Sequence, residues 1–196
     1  MSEHDFRAYQ EKISNRIEFI KHVHDFIQEP RYIPNVLELG VLRGEYSEEI
    51  LKVFGKVNLY LVDTWRAEGN DPYFSKNQAE LDHAFELVRK KFAHLPFVTI
   101  VPLESAKAAE GFKNGFFDWG YIDANHTREA VDRDFGLWLP KIKSGGVFSG
   151  HDFDPDPSNP DSYTFGVNEV VKATFGKDFG LTGEDFYRTW YHVKPV

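Results

Sequence analysis

Several carboxylates and histidines in this sequence stand where chemistry would need them. Glu38 lies in the short apolar run Val36-Leu37-Glu38-Leu39, Asp63 ends the run 57–62, Asp123 ends the run 116–122, and His151-Asp152 follows Val147-Phe148-Ser149. A carboxylate at the end of a buried strand is costly without a partner, and a cationic ligand would supply one to Glu38. Gly40 and Gly44 follow the first run and open a helical pattern, an arrangement that lets backbone pass close to a ligand while a helix N-terminus faces it. Two glycines at a strand end also occur in turns that hold nothing, so this pair leaves both readings open. Asp63, about twenty residues further on, is where a carboxylate reaches ribose hydroxyls, or simply caps its strand. The pyrophosphate pattern G-x-G-x-x-G would want glycines at 42 and 45; Leu42 and Glu45 stand there, and a glutamate repels pyrophosphate.

These residues share a site only if the chain folds so that the strand ends meet. Phe6, Ile13, Ile17, Ile20, His24 and Ile27 form a stripe that predicts a helix over 4–28, stopped by Pro30 and Pro34. The seven-residue spacing of Phe6, Ile13, Ile20 and Ile27 suits packing on the chain's own sheet or on a second copy in a homodimer. A strand at 36–39 leads through the glycine turn to a helix carrying Tyr46, Ile50, Leu51 and Phe54, then to a strand at 57–62. A loop over 64–75 precedes a helix marked by Leu81, Phe85, Val88 and Phe92, a strand at 97–101, a short helical stretch at 106–112 and a strand at 116–122. Asn125 is the expected N-cap of a helix presenting Val131, Phe135 and Trp138 and stopped by Pro140. Gly145-Gly146 should turn the chain into a strand at 147–149, and the prolines at 155, 157 and 160 make 153–163 irregular. A last helix carries Phe165, Val167, Val170, Val171 and Thr174, and two aromatic-rich strands in 179–193 flank Gly183-Glu184.

Strands alternating with helices imply an α/β fold, a mostly parallel sheet covered on both faces, with ligands beyond the carboxyl ends of its strands. Glu38, Asp63, Ser105, Asp123, His151 and Asp152 would gather there. Residues 1–33 read as a helical extension and 34–196 as the α/β domain, within one globular unit without repeats or low-complexity linkers. The loops at 69–73 and 155–162 flank the same end, either as an acceptor lid or as ordinary surface.

The formal charge of -8 disfavours nucleic acid and anionic membrane surfaces as partners, leaving a small molecule as the expected substrate. The chain has no cysteine, which removes disulfides, thiolate metal sites and cysteine nucleophiles. Residues 1–5 lack the charged flank and apolar core of a secretory signal, and no apolar run approaches the roughly 20 residues that cross a bilayer. The cytoplasm is the expected location.

The segment from Val36 to Ser47 resembles the first motif of class I S-adenosylmethionine-dependent methyltransferases, a Rossmann-like fold on a mostly parallel seven-stranded sheet. The later run Tyr121-Ile122-Asp123-Ala124-Asn125-His126, with Ala130-Val131, Asp134, Trp138-Leu139-Pro140, Gly145-Gly146-Val147 and His151-Asp152, is similar to the macrocin-type O-methyltransferases of macrolide sugars and their relatives. Together the resemblance covers roughly residues 34 to 175, its specificity coming from the order of the motifs. It implies that Glu38, Gly40, Gly44 and Ser47 surround the methionine end of S-adenosylmethionine, that Asp63 holds the ribose, and that Trp65 and Ser105 flank the adenine. It also implies that Asp123 and Asp152 hold a divalent cation beside the cofactor, and that His126 is a general base. Where the metal-dependent members place another carboxylate, this chain has His151.

The residue types suit that chemistry. Methyl transfer from a sulfonium to oxygen needs an aligned hydroxyl and a base to take its proton, and a cation on Asp123 and Asp152 would lower the hydroxyl's pKa. Oxygen ligands favour Mg or Mn, while an imidazole from His151 tilts the set toward Mn, Fe or Zn. The same two residues would serve equally as a pair bonding the cofactor or the following loop. A helix N-terminus next to His126 would disfavour its imidazolium form, although a lone histidine there is also compatible with an ordinary exposed role. The leading reading is O-methylation of a small hydroxylated metabolite, such as a sugar. The rivals are an NAD(P)-dependent oxidoreductase on a similar fold and a cofactor-binding module without turnover.

Overall fold

The computed structural model describes residues 13–27, 29, 31–67 and 77–196. In chain order its elements are α1 (Arg16–Ile27), β1 (Asn35–Leu39), α2 (Glu45–Phe54), β2 (Asn58–Asp63), α3 (Gln78–Phe92), β3 (Val98–Pro102), α4 (Ser105–Ala109), β4 (Phe117–Ile122), α5 (Arg128–Trp138), β5 (Ile142–Gly150), α6 (Val167–Phe175), β6 (Gly180–Leu181) and β7 (Trp190–Val193). The seven strands form one sheet in the order β3-β2-β1-β4-β5-β7-β6. Neighbours from β3 to β5 pair parallel, and β7 runs antiparallel to both β5 and β6. This is the Rossmann-like α/β architecture expected from the alternation of strands and helices. Among the described residues no helix is long and apolar enough to cross a membrane.

Alternate strand residues feed opposite faces, as a pleated backbone requires. Val36, Leu59, Leu61, Trp119 and Tyr121 join a core with Phe19, Ile20, Val23, Ile50 and Phe54 of α1 and α2; Leu37, Leu39, Val62 and Phe148 join a second with Phe135, Trp138, Val170 and Trp190. Both faces of β4 are buried along its whole length, which explains why its residues are apolar apart from Asp118. Within the stripe that predicted the first helix, Ile13 and Ile20 are buried in the chain's own core while Ile17 stays 40% exposed. Phe6 and the rest of 1–12 lie outside the described residues, as do Pro30 and the loop segment 69–73.

Local differences from the sequence reading have physical causes. Helix α1 starts at Arg16 because the Asn15 side chain accepts the N–H groups of Ile17 and Glu18 at 3.0 and 2.9 Å, a capping signal the apolar stripe hides. Asn125 does not cap α5: its side-chain oxygen accepts the Thr127 N–H at 2.9 Å and hydroxyl at 2.7 Å in a turn, and the helix begins at Arg128. Gly145-Gly146 lies inside β5 instead of before it, within a strand whose register against β4 shifts between Phe117 and Trp119. Helix α3 is closed by a reciprocal cap, with Asn77 accepting the Glu80 N–H and Glu80 accepting the Asn77 N–H. Asn77→Ala is expected to cost about 1 kcal/mol in urea unfolding.

Candidate functional site

The carboxyl ends of β1, β2, β4 and β5 are laced together by backbone. Gly40 N–H donates to Val62 O at 2.9 Å, Asp123 N–H to Leu39 O at 2.7 Å, and His151 N–H to Ile122 O at 3.1 Å. Above this rim opens a cavity of about 470 Å³, a size suited to a small-molecule ligand. Glu38, Gly40, Asp63, Ser105, Asp123, His126, His151 and Asp152 all line it. The sequence thus places eight of its candidate residues around one hollow, with Glu38 and Asp63 sharing it.

Glu38 is 2% exposed and accepts a hydrogen bond from the Ser47 hydroxyl at 2.5 Å. Burial pushes its carboxyl up to about 8; the Ser47 bond and Arg16 oppose this, while the charges of Asp123 and Asp63 reinforce it. An uncompensated acid at the floor of a cavity is ready to ionise against an incoming cation. Asp63 organises the glycine turn: one oxygen accepts the N–H groups of Val41 and Leu42, each at 2.9 Å, and the other accepts that of Trp65 at 2.8 Å. Three acceptor positions are so used, leaving about one for a ligand hydroxyl. The Ser105 hydroxyl donates to Asp134 at 2.5 Å and accepts the Trp138 indole N–H at 2.8 Å, pinning α4 to α5 at the cavity wall.

Other candidates stand behind the wall. Ser47 is fully buried and reaches the cavity only through Glu38. Gly44 opens α2 and faces the Phe92 ring. Trp65 is 3% exposed, gives its indole N–H to Leu42 O at 2.8 Å and packs on Phe85. These three shape the turn that shapes the cavity.

On the other side, Asp123, His126 and Asp152 turn one ligand atom each toward a common point, all within 4.8 Å of one another. His126 Nε2 lies 2.8 Å from one Asp152 oxygen and 3.8 Å from Asp123, while His151 Nδ1 meets the other Asp152 oxygen at 3.1 Å. Two carboxylate oxygens and an imidazole nitrogen are a donor set that a divalent cation accepts, so the residues fit the metal that the sequence resemblance implies. The histidine in that set is His126, not the expected His151. Asp152 has φ 60 and divides its two oxygens between the histidines, at 2.8 Å from His126 and 3.1 Å from His151.

Burial pulls the His126 pKa down, but hydrogen bonds to Asp123 and Asp152 and their charges outweigh it and push it up to about 10. The helix N-terminus therefore does not keep this ring neutral, because two carboxylates outcompete a partial charge. Without a cation the ring is imidazolium at neutral pH and a proton donor; a cation on the same carboxylates would remove the charge that holds its proton. Its Nδ1 is buried and meets no partner among the described residues, and the ring stacks on Phe165 at 4.6 Å. Hydrogen bonds from both histidines hold Asp152 below the usual carboxylate range against the opposing effect of burial.

The cavity also uses residues the sequence reading passed over: Arg16, Tyr46, Leu103, Arg133 and Asp134. Tyr46 was read only within the first motif and its helical pattern, and Asp134 only as a member of the later motif run. Leu103, 44% exposed beside a cavity, follows β3 at the same rim as the acidic residues, and that position was the signal available.

A family model described as a methyltransferase domain matches residues 37–153, a span that holds β1 to β5 and most of the cavity wall. Among solved structures, the O-methyltransferase NovP is 15% identical, with 92% of this chain and 80% of that one covered at a TM-score of 0.61. A provisionally named caffeoyl-CoA O-methyltransferase from Staphylococcus aureus is 13% identical, with 99% and 93% covered and a TM-score of 0.62. The spermidine synthase of Thermotoga maritima is 18% identical, with 96% of this chain covered and a TM-score of 0.58; the chain spans 60% of its length. At these identities the likeness is one of fold.

Proposed function

The chain belongs to the methyltransferase-domain family, and from that premise we propose that it moves a methyl group from S-adenosylmethionine to a hydroxyl of a small metabolite, a sugar being one such acceptor. The observation that carries this reading is the single hollow shared by buried Glu38, Asp63 and the group of Asp123, His126 and Asp152. Two of the structural neighbours are described as O-methyltransferases, which supports oxygen as the receiving atom.

S-adenosylmethionine, when bound, supplies a methyl carbon on a sulfonium that an oxygen attacks in line, forming the C–O bond as the S–C bond breaks. Glu38 offers negative charge to the cationic amino-acid end, with Ser47 fixing its direction. Asp63 offers its remaining acceptor position to a ribose hydroxyl, and Leu103 and Ser105 stand at the end left for adenine. Asp123, His126 and Asp152 would hold an Mg or Mn ion, whose chemistry is to lower the pKa of the acceptor's hydroxyl. With its Nε2 on that ion His126 is a ligand and has no lone pair left to act as a base, and the hydroxyl's proton passes to solvent. In a cation-free site the ring, once it gives up its proton, would take the one released by that hydroxyl.

Calorimetry with S-adenosylhomocysteine tests the proposal: micromolar binding supports it, and no heat at millimolar ligand removes it. A thermal shift with NAD(P) but not with the sulfonium nucleoside would favour the oxidoreductase reading instead. The pH dependence is specific. The free Glu38 carboxyl holds its proton below about 8, whereas the bound cation needs the carboxylate, so binding releases a proton. Affinity is expected to rise with pH, approaching about tenfold per unit below neutrality, and to level off above about pH 8. Glu38→Gln should flatten this profile. In the ligand-free protein the same raised pKa acts oppositely: the unfolded chain releases this proton near 4.5 and the folded one near 8, so the stability linked to Glu38 falls as pH climbs between them.

A further inference from the structure

We propose that Arg16, on the first turn of α1, receives the α-carboxylate of the cofactor's amino-acid end, so that the helix preceding the sheet completes the binding site. This rests on the reading of the cavity as an S-adenosylmethionine site and goes beyond it by assigning the contact that recognises the carboxylate.

The wall beside Glu38 is acidic: the charges of Asp123 and Asp63 both act on its carboxyl, and Glu45 and Asp152 also line the hollow. Such a surface welcomes an ammonium and a sulfonium but repels a carboxylate. An α-amino acid carries both signs within a few bonds, so a site for one needs a cation beside its anions. Arg16 is that cation. Its guanidinium lines the cavity, stands 4.0 Å from the Asp123 carboxylate and lies over the Tyr46 ring at 5.5 Å. The separation from Asp123 exceeds hydrogen-bond length, and the guanidinium's hydrogen bond with Tyr121 uses only part of its five N–H donors, which leaves a pair for a bidentate carboxylate. Its side chain is 38% exposed, open enough to be reached and packed enough to be oriented.

The position is built. The Arg16 backbone N–H donates to the Glu184 carboxylate of the β6–β7 connection, and Gly183 N–H donates to Ile13 O at 2.9 Å. Asn15 caps the same turn, and Phe19 packs on Tyr191 and Trp119 of the sheet. Sheet and hairpin together hold the start of α1 over the cavity, and the arginine is its first residue. Arg66 and Arg133 also line the hollow; Arg66 follows β2, and Arg133, on α5, stands 3.7 Å from Asp134, the partner of Ser105.

The test compares two ligands by calorimetry: S-adenosylhomocysteine and its decarboxylated form, in which hydrogen replaces the α-carboxylate. The wild-type protein is expected to prefer the first by about tenfold to a hundredfold, the range of a charge-assisted bidentate pair. Arg16→Gln should bring the two affinities within about twofold by weakening only the carboxylate-bearing ligand, and Arg16→Lys should keep part of the preference. Equal affinity of the wild type for both ligands overturns the assignment, as does an Arg16→Gln protein of unchanged circular dichroism that loses both in equal proportion. If that variant fails to fold, the wild-type preference and Arg16→Lys decide by the same criteria. A wild-type protein that binds neither nucleoside counts instead against the methyltransferase site itself.

Discussion

Gly40→Ala is expected to destabilise the protein by about 4 kcal/mol or more and to abolish S-adenosylhomocysteine binding in whatever fraction still folds. Gly40 has φ +89, and a Cβ there would sit 1.9 Å from the Asp123 carbonyl oxygen and 2.8 Å from the Ala124 nitrogen. Those atoms are backbone at the end of β4, held by the Asp123 N–H to Leu39 O bond, so relief requires β1 and β4 to separate at the rim that carries the site. Gly55→Ala is the matched comparison. It has φ +64 and ψ −48 but nothing within 4 Å of the added carbon, and it should cost only the strain of that backbone conformation, about 1 to 3 kcal/mol. Urea denaturation of both variants separates the clash from the backbone conformation. Equal losses would mean that the strand ends are not packed as described.

Asp152→Asn should lower the methyl-transfer rate by about a thousandfold while changing S-adenosylhomocysteine affinity little. One oxygen of Asp152 faces His126 and the other His151, so the amide removes a ligand charge and the anchor of His126 together. A readout independent of the acceptor is Mn binding by electron paramagnetic resonance: the wild type should bind and Asp152→Asn should not. Chelation should silence transfer by the wild type. Transfer that survives a chelator would remove the cation from the account and leave His126 as an imidazolium beside two carboxylates.

Much of this arrangement was legible in the sequence because parallel strands buried on both faces write themselves as short apolar runs. Each run that ends on or beside an acid, at Glu38, Asp63 and Asp123, could be placed at one rim from strand direction alone. What escaped depends on contacts between distant segments. Arg16 belongs to a helix read only for its apolar stripe, and nothing local says that the Glu184 carboxylate would fix that helix over the cavity. His151 looked closer to Asp152 than His126 did, yet the metal-like group forms across 26 positions of chain. Gly145-Gly146 and Asn125 carry strong turn and cap signals, and sheet pairing and a side-chain turn took precedence over both. Gly44 was legible as part of the first motif and Trp65 through the family resemblance, but whether they face the ligand or support the turn is decided by Phe85 and Phe92, which come from another helix.

The central claim is that one hollow takes the whole adenosyl amino acid, and a crystal structure grown with S-adenosylhomocysteine tests it most directly. The account predicts continuous density from Arg16 and Glu38, past Asp63, to Leu103 and Ser105. Ligand density elsewhere on the molecule, with this hollow holding only solvent, would contradict it.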